Sequence, residues 1–179
     1  MGRLVGKQLL LVVGQKNYNE EEFEKVRTIF EEEGATLYVS SKSLEKAIGR
    51  LEGYVVPDLA ISDVNAGDYD AIVLIGGYGA RLFLWDDVDT HKLVKKAFDE
   101  GKIIAAASTA PVTLANAGII EGKKISVYPD YDSARMMEAK GAKLIQKGVV
   151  VDDNIVTCNH TRHVDGFAEA IISLLVGTK

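Results

Sequence analysis

Residues 101–118, GKIIAAASTAPVTLANAG, contain the pattern that decides the fold. An apolar run from Ile103 to Ala107 stops abruptly at Ser108 and Thr109, and helix-like sequence resumes after Pro111. The pattern predicts a buried strand that turns sharply into a helix at residues 108–110, the elbow. Nucleophilic enzymes use such a turn to expose a hydroxyl or thiol beside backbone N–H groups. The alternative is an ordinary turn in which Ser108 or Thr109 is a helix N-cap and Pro111 lies in the first turn.

Strand-like and helix-like segments alternate along the rest of the chain. Continuous apolar runs predict strands covered on both faces, and apolar residues at helical spacing predict helices. The predicted strands are 8–13, 36–40, 70–75, 103–107, 124–127, 149–151 and 154–158, and the predicted helices are 20–33, 88–100, 112–117, 132–140 and 166–176. Asp152 and Asp153 indicate a hairpin between the last two strands. The alternation favours a mainly parallel sheet with helices on both faces, in a single domain over residues 1–179.

Composition and charge exclude several classes of function. The 179 residues are 47% apolar and carry 21 basic against 26 acidic side chains, whereas a nucleic-acid-binding surface needs a basic face. No apolar run approaches 18 residues, so no membrane partner is expected, and residues 8–13 are interpreted as a first core strand rather than a signal peptide. Cys158 is the only cysteine beside three histidines, which favours a cytoplasmic protein without a disulfide or a zinc site.

Three further loops follow predicted strands, where ligands of such folds bind. The first leads into Glu20–Glu22, of which one carboxylate is a candidate partner of Ser108; the alternative is a solvated helix start. The second is Gly-Gly-Tyr-Gly at 76–79, which permits close backbone approach but lacks the spacing of a phosphate-binding loop, so a plain tight turn is the alternative. The third, Cys-Asn-His-Thr-Arg-His at 158–163, holds two of the three histidines.

Five segments carry a resemblance to a known family. They are LLLVVG, FEEEGATLYVSS, DYDAIVLIGGYGA, GKIIAAASTAPVTLANAGIIEGKK and VVVDDNIVTCN, in this order over nearly the whole chain. Together they resemble the ThiJ/PfpI superfamily, the group of PfpI-type intracellular proteases and the parkinsonism-linked protein deglycase. The resemblance implies a flavodoxin-like three-layer α/β sandwich with a mainly parallel sheet, as in class I glutamine amidotransferases. It also implies peptidase-, glyoxalase- or deglycase-like chemistry without metal or organic cofactor, and homodimers or larger rings.

The chain departs from the family pattern at the elbow. Ser108 stands where most relatives have a reactive cysteine, and Thr109 stands where a histidine often follows. The family's glutamate position falls on Asn19 when Gly34 anchors the register, with Glu21 close behind. A serine hydroxyl is a far poorer nucleophile than a thiolate unless a base activates it, and sulfenic-acid redox sensing at residue 108 is excluded.

The leading hypothesis is therefore an enzyme that acts on a small carbonyl, amide or ester substrate, or on a peptide. Its predicted site comprises Ser108 as the nucleophile, the N–H groups of Gly77 and Thr109 as the oxyanion site, His160 or His163 as the base, Glu21 as its helper, and Asn19, Gly76 and Tyr78 as pocket residues. This mechanism requires a histidine nitrogen or a glutamate oxygen within hydrogen-bond reach of the serine Oγ.

Two other classes of function stay open. One is a non-catalytic binding or stress-response member that kept the pocket and lost the thiol. The other is a nucleotide-binding flavodoxin-like protein, for which bound flavin would be the evidence; none is expected. Cys158 is interpreted either as a buried core residue or as a substitute thiol. The apolar segment Tyr78, Leu82, Phe83, Leu84 and Trp85 predicts a homo-oligomer interface, unless it folds into the core.

Overall fold

A computed structural model of the protein describes residues 2–177. Its strands are β1 (Gln8–Val12), β2 (Lys16–Tyr18), β3 (Thr36–Ser41), β4 (Ala47–Gly49), β5 (Tyr54–Val55), β6 (Leu59–Ala60), β7 (Ala71–Leu74), β8 (Ile103–Ala107), β9 (Lys124–Ile125), β10 (Lys143–Leu144), β11 (Val149–Asp152) and β12 (Ile155–Cys158). Its α-helices are α1 (Glu20–Glu32), α2 (Tyr78–Phe83), α3 (Val88–Asp99), α4 (Pro111–Asn116), α5 (Tyr131–Ala139) and α6 (Val164–Val176), and short 3₁₀ helices span Ile61–Asp63, Ala66–Asp68 and Thr161–His163.

Seven strands form the central sheet, in the order β11-β12-β8-β7-β1-β3-β6. Neighbouring strands run parallel except in the hairpin of β11 and β12, where Val151 pairs with Val156. Asp153 turns this hairpin with φ of 51°. The predicted central strand 103–107 is β8, between β7 and β12, and every residue of it is buried. The mainly parallel α/β fold is thus confirmed.

Helices cover both faces of the sheet and make it the middle of three layers. Along β1, Leu9 and Leu11 point to one face, whereas Leu10 and Val12 point to the other. The first face packs against α1 and α6, and the second packs against α3, α4 and α5. Alternate side chains of a strand point to opposite faces, so a strand buried on both sides is apolar throughout.

The short elements differ from the sequence-based expectation. A second sheet of β2, β4 and β5 covers residues where no strand pattern is visible, and its strands have two or three residues each. The predicted strand at 124–127 is only the two-residue β9, which pairs with β10 outside the central sheet. Elements this short hold too few residues for a hydrophobic period, so only their tertiary partners define them.

The apolar segment after the glycine loop divides between core and surface. It forms α2 and the turn after it, and both Leu84 and Trp85 are buried in the core, so for these two residues the core alternative holds and not the interface. Tyr78 and Leu82 are exposed, with 58% and 51% of their surface accessible. These two large side chains are therefore available to a partner, and Phe83 is partly exposed beside them. No helix in the described part of the chain is long and apolar enough to cross a membrane.

Candidate active site

The elbow holds Ser108 in a conformation that serine rarely adopts. Its φ is 47°, in the left-handed region, and such backbone strain persists only where surrounding contacts fix it. The Ser108 N–H donates to the carbonyl of Cys158 at 2.9 Å, and its carbonyl accepts from the Tyr128 N–H at 2.8 Å. Strand β8 thus delivers the serine hydroxyl to the carboxyl edge of the sheet, where it lines a cavity although only 5% of the residue is exposed.

Glu22 is the side chain that contacts this hydroxyl. Ser108 Oγ donates to Glu22 Oε1 at 2.6 Å, and the Gly76 N–H donates to Glu22 Oε2 at 2.9 Å. Thr161 Oγ1 donates a further hydrogen bond to Oε1 at 3.1 Å. The carboxyl group required within reach of the serine is therefore present, and it is completely buried.

The expectation that Glu21 faces the elbow is corrected by this geometry. Glu22 shares the buried stripe of α1 with Val26 and Phe30, four and eight residues further along the helix. Glu21 lies off this stripe and pairs with Arg50 at 3.3 Å on the cavity wall. Helical spacing from the apolar residues would have identified Glu22, because positions four residues apart lie on one helix face.

Burial and hydrogen bonding act on Glu22 in opposite directions. Loss of water around the carboxylate raises the pKa of Glu22, whereas the donors Ser108, Gly76 and Thr161 lower it, and burial outweighs them. A carboxylate with a raised pKa is a stronger base than a solvated one. Glu22 is thereby suited to accept a proton from the serine hydroxyl.

Asn19 positions the glutamate rather than replacing it. As the N-cap of α1, its Oδ1 accepts from the Glu22 N–H at 3.2 Å. Its Nδ2 donates to Thr161 Oγ1 at 2.8 Å and to Glu22 Oε1 at 3.1 Å. The pattern of an N-cap residue followed three positions later by Glu resembles a capping box. This spacing is a second sequence signal for Glu22.

Two glycines let the loop after β7 approach the elbow closely. A Cβ atom at Gly76 would overlap Ser108 Oγ and the carbonyl of Ala107, so no side chain fits there. Gly77 adopts φ of 93°, and its carbonyl accepts from Thr109 Oγ1 at 2.9 Å. Among residues 2–177, the N–H groups of Gly77 and Thr109 have no protein acceptor, and both residues line the cavity. Two such donors beside the serine are able to stabilise an oxyanion.

Neither candidate histidine forms a hydrogen bond with Ser108. His160 lines the cavity, but its Nδ1 accepts from the Arg162 N–H at 3.2 Å. His163 is not among the cavity residues; its ring lies against Gly148, and its Nε2 accepts from Arg162 Nε at 3.2 Å. Geometry thus assigns contact with the serine hydroxyl to Glu22 and to no histidine of the described chain.

The cavity above the elbow has a volume of about 680 Å³. Its walls combine aromatic rings with charged pairs. Arg50 pairs with Glu21 there, and Arg81 pairs with Asp132 at 3.1 Å. The lining residues are Asn19, Glu21, Arg50, Gly77, Tyr78, Arg81, Ser108, Thr109, Tyr128, Asp130, Tyr131, Asp132, His160 and Thr161. Within residues 2–177, no group of three or more His, Cys, Asp or Glu side chains is arranged to hold a metal ion.

Cys158 lies beside the elbow but inside the core. The residue is completely buried and pairs with Ala107 across the sheet. Burial and the neighbouring Glu22 carboxylate raise the pKa of the Cys158 thiol to about 12. A protonated, inaccessible thiol is unreactive, so the geometry favours a core residue over a substitute nucleophile.

Comparison with known proteins agrees with this architecture. The sequence profile of the DJ-1/PfpI family matches residues 7–174. The chain is 32% identical over 149 residues to a deglycase of Thermococcus kodakarensis, covering 80% of this chain and 85% of the relative. It is 31% identical over 160 residues to the deglycase PfpI of Pyrococcus furiosus, covering 86% and 94%.

A solved structure extends the agreement to three dimensions. The crystal structure of a ThiJ/PfpI domain protein from Brachyspira murdochii superposes with a TM-score of 0.90 at 33% identity, over 96% of this chain and 98% of that one. The sequence match and the shared fold both span nearly all of the described residues. The chain therefore belongs to the DJ-1/PfpI family.

Proposed function

We propose that this protein is an enzyme in which the Ser108 hydroxyl adds to the carbonyl carbon of a small substrate. The observation that carries the proposal is the 2.6 Å hydrogen bond from Ser108 Oγ to the buried Glu22 carboxylate. A serine needs a base to become a nucleophile, and this contact supplies one without a histidine.

In the proposed step, a bond forms between Ser108 Oγ and the carbonyl carbon while the hydroxyl proton moves to Glu22 Oε1. The carbonyl π electrons move onto oxygen, and the N–H groups of Gly77 and Thr109 stabilise the resulting oxyanion. With an aldehyde, the oxyanion takes that proton from Glu22, which gives a hemiacetal on Ser108 and restores the carboxylate. With an ester or amide, the oxyanion collapses, the leaving group takes the proton from Glu22, and water then hydrolyses the acyl-serine.

The family relatives support a deglycase-like version of this chemistry. Both relatives compared above are named deglycases, at 31–32% identity over most of their length. A peptidase- or glyoxalase-like version uses the same nucleophile, base and oxyanion site, so the substrate panel should include all three classes. The test compares wild-type protein with Ser108→Ala and Glu22→Gln on glycated amino acids, methylglyoxal, aminopeptidase substrates and simple esters.

Wild-type turnover and a loss of about 1,000-fold or more in Ser108→Ala are the expected results, because the nucleophile acts as a unit with its base. Glu22→Gln should lose activity comparably. Ser62→Ala, an exposed serine outside the cavity, is the matched control and should retain full activity. Equal rates in wild type and Ser108→Ala on every substrate would contradict the proposal.

A non-catalytic binding protein is the second candidate. This candidate is favoured because Ser108 is only slightly exposed and its Oγ already donates a hydrogen bond to Glu22. Ser108→Cys discriminates the two candidates. A binding protein should be inactive with serine and gain activity when the thiol is introduced, whereas the serine enzyme is active before the change.

We also propose a homo-oligomer, with the exposed Tyr78 and Leu82 as part of its interface. The proposed partners are a small-molecule or peptide substrate and further copies of the chain. The single, buried Cys158 is compatible with a reducing compartment, and the cytoplasm is the proposed location.

A further inference from the structure

We infer that His160 is a hydrogen-bond donor to the substrate, and not the base of the site; the inference rests on the proposed function. Its basis is the one tautomer that the loop after β12 permits. The backbone N–H of Arg162 donates to His160 Nδ1 at 3.2 Å. A backbone N–H is only a donor, so Nδ1 must present a lone pair, and the neutral ring carries its proton on Nε2.

The position of the ring is fixed from two sides. His160 is the N-cap of the 3₁₀ helix Thr161–His163, which anchors its Nδ1 edge. Its face stacks on Tyr128, with ring centroids 6.0 Å apart and an angle of 28° between the planes. Both rings line the cavity that contains Ser108. A ring held in this way presents its remaining polar atom in one orientation.

The Nε2–H group has no acceptor among the described residues. The hydrogen bond to Nδ1 is the only one that the His160 ring forms with residues 2–177. In the proposed mechanism, the N–H groups of Gly77 and Thr109 already donate to the substrate oxygen that becomes charged. His160 therefore serves a second acceptor oxygen, and the substrate class is a carbonyl compound that carries another hydroxyl, carbonyl or carboxylate oxygen.

The cap role and the donor role are separable by substitution. In His160→Asn, the asparagine Oδ1 takes the place of Nδ1 and keeps the cap, because asparagine is a favoured N-cap residue. The asparagine side chain is shorter than the histidine ring, so the variant has no donor at the position of His160 Nε2. His160→Ala removes both functions. Thr161, which follows directly and contacts Glu22, keeps its place in the first variant.

Nitrogen-15 NMR of the histidine rings at about pH 8, where free imidazole is neutral, reads the tautomer directly. We expect the Nε2–H form, and a saturable shift of that resonance on addition of lactate. Lactate is the probe because it offers hydroxyl and carboxylate acceptors without an electrophilic aldehyde. His160→Asn should weaken lactate binding by about five- to tenfold, the range of one hydrogen bond, and should raise KM more than it lowers kcat.

A proton on Nδ1, no lactate binding, or equal lactate affinity in wild type and His160→Asn would each overturn the inference. Weaker lactate binding in His160→Ala but not in His160→Asn would likewise show that the ring serves only as a helix cap. Failure of the proposed function is a distinct result: no substrate turnover by wild type, with the Nε2–H tautomer and lactate binding intact.

Discussion

At the scale of single residues, Glu22 stands out because its ionisable side chain is completely buried. Burial of a carboxylate is costly unless hydrogen bonds replace its lost water. Here the replacement comes from Ser108, Gly76, Asn19 and Thr161, which lie on four different loops or helix ends. The elbow, the glycine loop and the start of α1 are thus joined through one side chain.

The raised pKa of Glu22 makes stability depend on pH in a defined direction. The folded chain holds the Glu22 proton more tightly than the unfolded chain does, so this contribution is fully present below the ordinary pKa of 4.5. It is lost as pH rises through the raised pKa. The side chain introduced by Glu22→Gln does not titrate, so the free energy of unfolding of wild type should fall relative to this variant as the pH rises above 4.5 and through the raised pKa of Glu22.

Urea unfolding at several pH values measures this difference. Glu24→Gln, at an exposed position on the same helix, is the control and should show no comparable trend. The amide introduced by Glu22→Gln also changes the hydrogen bond with Gly76, and this contribution does not depend on pH. The relevant quantity is therefore the slope with pH of the difference in free energy of unfolding between wild type and Glu22→Gln. A difference independent of pH would refute the assigned effect of burial.

The Cys158 thiol should resist alkylation in the native protein. Its burial and its pKa of about 12 leave almost no accessible thiolate near neutral pH. Iodoacetamide should therefore modify it only after denaturation, as measured by mass spectrometry of the peptides. Ser108→Cys supplies the matched control, since a thiol at the cavity floor should react in the same native sample. Rapid labelling of native Cys158 would overturn its assignment to the core.

At the scale of elements, helix α1 is both a core helix and the carrier of the proposed base. Its apolar stripe packs against the sheet and α6, and its N-terminus is capped by Asn19. The cap fixes the first turn, and the first turn contains Glu22. The start of α1 therefore determines how precisely the carboxylate meets Ser108.

Asn19→Ala should reduce the free energy of unfolding by about 1–2 kcal/mol, because it removes an N-cap and a buried donor to Glu22. Activity should fall as well, since Thr161 loses the same partner. Asn65→Ala is the matched control: Asn65 is exposed, caps the 3₁₀ helix Ala66–Asp68 and contacts no site residue. Thermal or urea unfolding provides the measurement. Equal losses in the two variants would argue against a special role of Asn19.

At the scale of the whole molecule, helix α2 presents two exposed apolar side chains beside the cavity. They are Tyr78 and Leu82, and Tyr78 lines the cavity together with the exposed Tyr131 of α5. Large apolar side chains grouped beside a functional cleft are typical of interaction surfaces. The proposed homo-oligomer would bury them close to the substrate entrance.

Light scattering tests this proposal against the monomer mass of 19.4 kDa. Wild type should have a mass at least twice that value, and Leu82→Glu should shift the protein to a monomer, because burying an unpaired charge in an interface is unfavourable. Val151→Glu is the control, since Val151 is 44% exposed on the edge strand β11, away from the cavity. A monomeric wild type, or dissociation by both variants alike, would refute the proposed interface.

The long elements could be predicted from the sequence because their patterns are local. Ile103–Ala107 is apolar throughout, and α1 and α3 repeat apolar residues at helical spacing, so strand, helix and parallel sheet follow from neighbouring residues. The elbow serine and the two glycines beside it were predicted on the same grounds.

The partners of those residues were decided only by tertiary structure. Ser108 meets a carboxylate 86 positions away, and Thr161 reaches the same carboxylate across 139 positions. No local pattern ranks His160 against His163, because their places depend on how the loop folds back over the sheet. The strands β2, β4 and β5 are likewise too short to show a period. Sequence thus determined which segments are buried, whereas packing across the sheet determined which polar groups meet.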